Sequence, residues 1–185
     1  MALLASVAGL SGQQPLVEGF AESKVRVLIY EDLQCPDCAE FRRMMDEKIL
    51  PRYATRVAFV HRDFPLAKHA WARRAAIAAR YFGERKPELA LAYRRQIMAN
   101  IKETTLDNFN NRLSQFARDK GVDPAPALAA LDDTRLAALV ERDFQDGVAR
   151  GVVHTPTVFV NGNAFIEHFS FEEVSQALDD ALAGR

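Results

Sequence analysis

Val25-Arg26-Val27-Leu28-Ile29-Tyr30 runs directly into Glu31-Asp32-Leu33-Gln34-Cys35-Pro36-Asp37-Cys38, and this stretch decides the fold. Its first six residues are a short β-branched, apolar run of strand length, suited to a buried strand in the middle of a sheet. Beyond Cys38 the period lengthens. Phe41, Met44, Met45, Ile49 and Leu50 recur at helical spacing, with Arg42, Arg43, Asp46 and Glu47 between them. Pro36 suits the first helical turn, where a missing N–H leaves nothing unpaired, and Pro51 is expected to end the helix. The two cysteines therefore stand one turn apart at a strand-to-helix junction.

They are the only two cysteines in 185 residues. A chance placement at this separation is roughly a 1% event. So small a loop cannot staple a chain of this length, which excludes a disulfide scaffold. Structural zinc normally takes four ligands, and there is no second cysteine pair. His154 with both cysteines makes only a partial set, so no metal and no cofactor are expected. A redox dithiol remains. At a helix N-terminus the unpaired N–H groups and the positive dipole end favour a thiolate on Cys35. Its pKa is expected below the free value of about 8.5, with Cys35 the exposed thiol. Cys38, more buried, is placed to attack a mixed disulfide formed there.

A second strand reads from Val57 to Arg62 and leads into Asp63-Phe64-Pro65-Leu66. Ala-rich helices follow. The spacing predicts one from His69 to Phe82 stopped by Gly83, and another from Pro87 to Met98. A third opens at the weak capping box Thr104-Thr105-Leu106-Asp107 and ends at Gly121. Asp123-Pro124 opens a short helix to Leu131, and a last one, capped by Asp133 or Thr134, ends near Gly151. Strand period then returns in Thr157-Val158-Phe159-Val160, with Asn161-Gly162-Asn163 as a hairpin turn and Ala164-Phe165-Ile166 as the returning strand. Ser170-Phe171-Glu172-Glu173 is a capping box for a C-terminal helix whose buried stripe is Val174, Leu178, Ala181 and Leu182. Strands on both sides must return to one sheet, so the helical block reads as an insertion. Residues 16–66 and 151–185 form the α/β domain and 67–150 the insertion. Residues 1–15 are an N-terminal segment whose apolar start, Met1 to Gly9, fits the remnant of a trimmed leader, a frayed end or an ordinary first segment.

Lys and Arg total 24 against 25 Asp and Glu, a net charge of -1, so no basic excess points to nucleic acid. No apolar run reaches the ~18 residues of a membrane span. Trp71, with Ile77 and Tyr81, is expected to pack the insertion on the sheet. Arg73, Arg74, Arg94 and Arg95 read as solvated helix sides, and the four histidines as ordinary surface or strand residues.

Three stretches together resemble the DsbA-like thiol:disulfide oxidoreductases of the thioredoxin superfamily: YEDLQCPDC (Tyr30 to Cys38), RDFPL with His69 and the Ala-rich helix after it, and VHTPTVFVNG (Val153 to Gly162). The resemblance spans about residues 16–182. It implies a thioredoxin-like fold carrying the helical insertion, with Pro156 cis beside the dithiol and Thr155 presenting its backbone to substrate. Extended or unfolded protein segments would then bind by short β-pairing. It also implies a redox-recycling partner protein and an extracytoplasmic, periplasmic or secreted, location. Two departures bear on redox tuning. Asp37 stands between the cysteines where relatives often carry His, which makes the thiolate less stable and the oxidant weaker. Ile29 stands where related oxidases often carry a buried acid; Glu31, of the same strand parity, is either its substitute or a solvated strand end. Asp32 matches a common acid and equally suits a turn cap.

Function is thus expected to be disulfide exchange with protein thiols through Cys35 and Cys38, oxidative in direction. A reductase or isomerase using the same dithiol is the nearest alternative. A non-catalytic redox-sensing, client-binding module is a third reading, favoured if Cys35 is not exposed. A glutathione-dependent enzyme is disfavoured by the resolving Cys38.

Overall fold

The computed structural model describes residues 14–185, so most of the N-terminal segment lies outside the described residues. Five strands form the middle layer in the order β1-β3-β2-β4-β5. They are β1 Leu16–Gly19, β2 Arg26–Glu31, β3 Ala58–Asp63, β4 Thr157–Val160 and β5 Asn163–Ile166. β2 and β3 are parallel and every other neighbouring pair is antiparallel. The hairpin between β4 and β5 turns through Asn161 (φ 48°) and Gly162 (φ 86°), the two positive φ values a tight primed turn demands. β1 escapes sequence reading. It is four residues long, and its place at the sheet edge is fixed by pairing with β3 rather than by its own pattern.

Register brings the distant signals together. Tyr30 of β2 lies opposite Thr157 of the antiparallel β4. The chain leaving β2 and the chain entering β4 therefore emerge at one end of the sheet, which places Cys35 beside Thr155-Pro156.

Helix α1 (Pro36–Met44) continues through a π-helical stretch, Met45–Ile49, into α2 (Leu50–Tyr53). Pro51 does not end the helix as expected, because the wider π turn accommodates a residue without an N–H. Five helices separate β3 from β4: α3 Ala72–Arg85, α4 Pro87–Ala99, α5 Phe109–Asp119, α6 Pro124–Ala129 and α7 Thr134–Ala149. Gly83 does not stop α3. That helix runs on to Arg85 and ends at Lys86, which the following Pro87 forces into extended backbone. α5 starts later than its capping box suggested. Thr105 and Asn108, not Thr104 and Asp107, exchange side-chain-to-backbone hydrogen bonds ahead of it. Asp123 and Asp133 cap α6 and α7, and Ser170 with Glu173 completes the capping box of α8 (Phe171–Leu182).

The two sheet faces carry different cores. Val27, Ile29, Val158 and Val160 pack with Phe41, Met45 and Ile49 and with Val174 and Leu178 of α8. On the opposite face Tyr30 and Phe64 pack with Phe144 of α7, which approaches so closely that a Cβ on Gly147 would lie 2.7 Å from the Phe64 ring. A third cluster, holding Trp71, Ile77, Tyr81 and Phe82 with Phe109 and Phe116, includes both cysteines. Trp71 therefore does not seat the insertion on the sheet. It packs on Phe109 at a centroid distance of 6.0 Å, inside the helical block and against the dithiol loop.

Arginines bind these layers. Arg94 was expected on a solvated helix side and is 3% exposed. It donates to Asp63 of β3 at 2.8 Å and to Glu31 of β2 at 3.1 Å. Arg80 of α3 pairs with Asp63 at 2.6 Å and with Asp143 of α7. Arg95, also expected to be solvated, bonds Glu18 of β1 and reaches Asp46 at 3.0 Å. Buried carboxylates on the strands leave these guanidinium groups no lower-energy place than the interior. Arg73 does reach solvent, pairing with Glu141 at 2.9 Å.

Candidate active site

Cys35 is the N-cap of α1, in extended backbone (φ -80°, ψ 125°), and Pro36 is the first helical residue. The loop before it is fixed from both sides. Cys35 N–H donates to Asp32 O at 3.0 Å, and Asp32 N–H donates to the Cys38 sulfur at 3.4 Å. The Asp32 carboxylate accepts from Gln34 N–H, from Leu66 N–H and from His69 Nδ1, each at 2.7 Å. Gln34 Oε1 in turn accepts from Trp71 N–H at 2.7 Å. Asp32 is thus a turn cap that also anchors the β3–α3 loop beside the dithiol. The His69 side of this bridge has no short-range sequence signal, because its partner lies on another loop.

Thr155-Pro156 is cis. The Cys35 thiol donates to Thr155 O at 3.3 Å, across 120 residues of chain. Pro156 O accepts from Glu167 N–H at 2.9 Å, and Thr157 Oγ1 donates to His154 O at 2.7 Å, which fixes the loop on both sides of the proline.

Both cysteines are free thiols. Cys35 is 4% exposed, not the open thiol expected from its position, because Thr155 and the Leu66–Lys68 loop crowd over it. It nevertheless lines a surface cavity of about 340 Å³ with Asp37, Leu66, Ala67, Lys68, Val153, His154, Thr155 and Glu167. Cys38 is fully buried. The electrostatics separate the pair. A hydrogen bond from Cys38, opposed by burial and aided by the Thr155 side chain and the N–H groups of Cys38 and Asp37, lowers the Cys35 pKa to about 6. Burial, with Cys35 beside it, raises Cys38 well above the ordinary thiol value. One sulfur is set to be a thiolate near neutrality while the other keeps its proton.

Glu31 lies under this pair, 2% exposed, and is no solvated strand end. Its carboxylate faces His61 Nδ1 at 2.6 Å. Burial alone would push it up, but Arg94 and His61 prevail and hold it at about 2. Glu18 behaves alike, burial opposed by His61 and Arg42, also at about 2. His61 bridges the two acids, with Nε2 3.2 Å from Glu18, and it is as buried as they are. A lone histidine within a strand gave no sign of this, since both partners come from other strands.

A family model described as Thioredoxin matches residues 11–180. Among curated proteins, the chain is 27% identical over 181 residues to Na(+)/H(+) antiporter NhaA 1 of Salinispora arenicola, covering 91% of this chain and 25% of that one. It spans about a quarter of the length of the antiporters it matches. A Rickettsia bellii protein assigned the name protein-disulfide oxidoreductase is 25% identical over 173 residues, covering 92% of this chain and 65% of that one. Among solved structures, oxidised BdbD from Bacillus subtilis superposes with a TM-score of 0.82 at 21% identity, covering 93% of this chain and 97% of that one. The sheet, the dithiol, the cis-proline and the helical insertion all fall within the matched residues, and the chain belongs to the thioredoxin family.

Proposed function

We propose that this protein is a thiol:disulfide oxidoreductase acting on protein thiols, with Cys35 as the exchanging sulfur and Cys38 as the resolving one. The observation that carries this reading is the asymmetric dithiol. A low-pKa sulfur at a helix start borders an open cavity, a buried high-pKa sulfur lies one turn behind it, and the carbonyl of Thr155, ahead of the cis Pro156, meets the first. In the oxidised protein a client thiolate attacks the Cys35 sulfur. The Cys35–Cys38 bond breaks, a Cys35–client disulfide forms, and Cys38 leaves as a thiolate that takes up a proton in its buried site. A second client thiolate then attacks the client sulfur and expels Cys35. The client has lost two electrons and two protons, and the dithiol holds the electrons.

Stabilising the Cys35 thiolate stabilises the reduced form, which favours oxidation of clients in an extracytoplasmic compartment. A partner protein must then reoxidise the dithiol. Asp37, Pro36 and Glu31 tune the pair, and the backbone of Thr155 at Pro156 receives an extended client strand. Reduction or isomerisation by the same chemistry is the competing direction, and the reduction potential separates them; the low exposure of Cys35 favours instead the non-catalytic client-binding module, which the native chain's failure to oxidise a client would identify. The decisive assay incubates oxidised protein with a reduced, unfolded disulfide protein. Activity is expected for the native chain and none for Cys35→Ser, while reduced Cys38→Ala given the client in its disulfide form attacks that disulfide, expels one client thiol and accumulates the Cys35–client mixed disulfide, visible by mass spectrometry. Turnover by Cys35→Ser would overturn the assignment.

A further inference from the structure

The cavity at Cys35 does not end there. Asp37 and Glu167 also line a second cavity of about 160 Å³, completed by Glu40, Phe41, Met44, His168 and Phe169. The two share a wall and make one groove running from the Cys35 sulfur along the outer side of α1. Its charge is one-sided. Asp37, Glu40 and Glu167 face it against the single cation Lys68, which lies at the Cys35 end. Glu167 is shared with His154 at 3.2 Å, while neither Asp37 nor Glu40 has an ion-pair partner among the described residues. What distinguishes this unpaired couple is its place, on the groove that starts at the reactive sulfur. The apolar floor is Phe41 and Phe169, packed edge to face at 5.3 Å, with Met44.

Building on the proposed exchange at Cys35, we infer that this groove selects clients whose cysteine is flanked within about three residues by Lys or Arg, with an apolar residue beyond. An extended segment advances about 3.3 Å per residue, so side chains near a cysteine held at Cys35 reach Asp37 first and Glu40 and Glu167 next. A long cationic side chain lays its methylenes on Phe41 and Met44 and its charge against the carboxylates. A flanking Asp or Glu meets like charge in the same place.

The test uses oxidised full-length protein and three fluorescent peptides that differ only beside one cysteine: lysine-flanked, serine-flanked and glutamate-flanked. Stopped-flow rates of mixed-disulfide formation are expected to favour lysine over glutamate by about tenfold at low salt, the ratio falling several-fold at ~0.5 M NaCl. The double variant Glu40→Gln, Glu167→Gln should lower that ratio towards unity. Equal rates, a preference for glutamate, or a ratio unmoved by the double variant would overturn the inference. The serine-flanked peptide tests the chemistry itself, since failure to react with it would refute disulfide exchange and not the groove. In that event binding of the same peptides with cysteine replaced by serine still decides. Tighter binding of the lysine peptide supports the groove, and equal binding overturns it.

Discussion

Replacing Cys38 with alanine tests the electrostatic design of the dithiol directly. The largest influence lowering Cys35 is the hydrogen bond from Cys38, ahead of the helix-start N–H groups. A hydrogen bond to a charged group contributes about 1.5–3 kcal/mol, and one pH unit corresponds to about 1.36 kcal/mol. Its loss should raise Cys35 from about 6 by about one to two units, to a value still below a free thiol. Cys38→Ser, which retains a donor, should move it much less. The assay is the pH dependence of alkylation by iodoacetamide, cross-checked by thiolate absorbance at about 240 nm. In the native reduced protein about nine-tenths of Cys35 should be thiolate at pH 7. If Cys35 in Cys38→Ala still titrates near 6, the Thr155 side chain and the N–H groups set the pKa without Cys38 and this reasoning fails.

Asp37→His should make the couple more oxidising by a few tens of millivolts, since about 1 kcal/mol of repulsion at roughly 7 Å is removed and about 30 mV corresponds to about 1.4 kcal/mol; equilibration with glutathione measures it. Glu31→Gln should destabilise the fold by about 3–5 kcal/mol in urea titration, because it leaves Arg94 and His61 buried with one acid fewer. Glu18 and Glu31, both held at about 2, give stability that is full above the unfolded carboxylate value and is lost as pH falls from about 4.5 towards 2, so acid unfolding should concentrate there. Cys35, likewise lowered, stabilises the reduced protein above pH ~8.5, and this should fade as pH falls through about 6, seen as a shrinking stability difference from Cys35→Ser. Gly147→Ala should cost about 1–3 kcal/mol by thermal melting, since its Cβ would lie 2.7 Å from Phe64 and 2.9 Å from Tyr30.

The dithiol, the hairpin and the C-terminal helix were legible because each is written in contiguous residues. CPDC sits at a period change, Asn161-Gly162 answers a local φ requirement, and Ser170 with Glu173 caps within one turn. Pro156 was legible only as a proline ahead of a strand; its place beside Cys35 depends on the Tyr30–Thr157 register, which no local pattern encodes. The misread arginines show the same limit from the other side. Arg94 and Arg95 are adjacent in sequence and look equally polar, yet one is sealed in and the other half-exposed. What separates them is the position of Glu31 and Asp63 on neighbouring strands. Likewise Pro51 and Gly83 carry strong breaker signals that tertiary packing overrode: one at the start of the short helix that follows the π stretch, the other in a helix buried along most of its length.

The buried ion network explains why a reactive sulfur can sit in so quiet a frame. Glu31 pairs across to Asp63 on the parallel strand, and both acids meet Arg94 of α4, while Arg80 of α3 carries the link on to Asp143 of α7. Glu18 and Arg42 extend it to β1 and α1. Charges so paired are dear to separate, because each one released would be left bare in the interior. The insertion is therefore tied to the sheet at the end where Cys35 emerges. The loops of Asp32 and Pro156 hold the dithiol by backbone bonds that do not involve this network. Rigidity beneath and an open groove above are thus supplied by different residues. A change in the groove carboxylates Glu40 and Glu167 can alter which clients approach without loosening the frame that sets the thiolate.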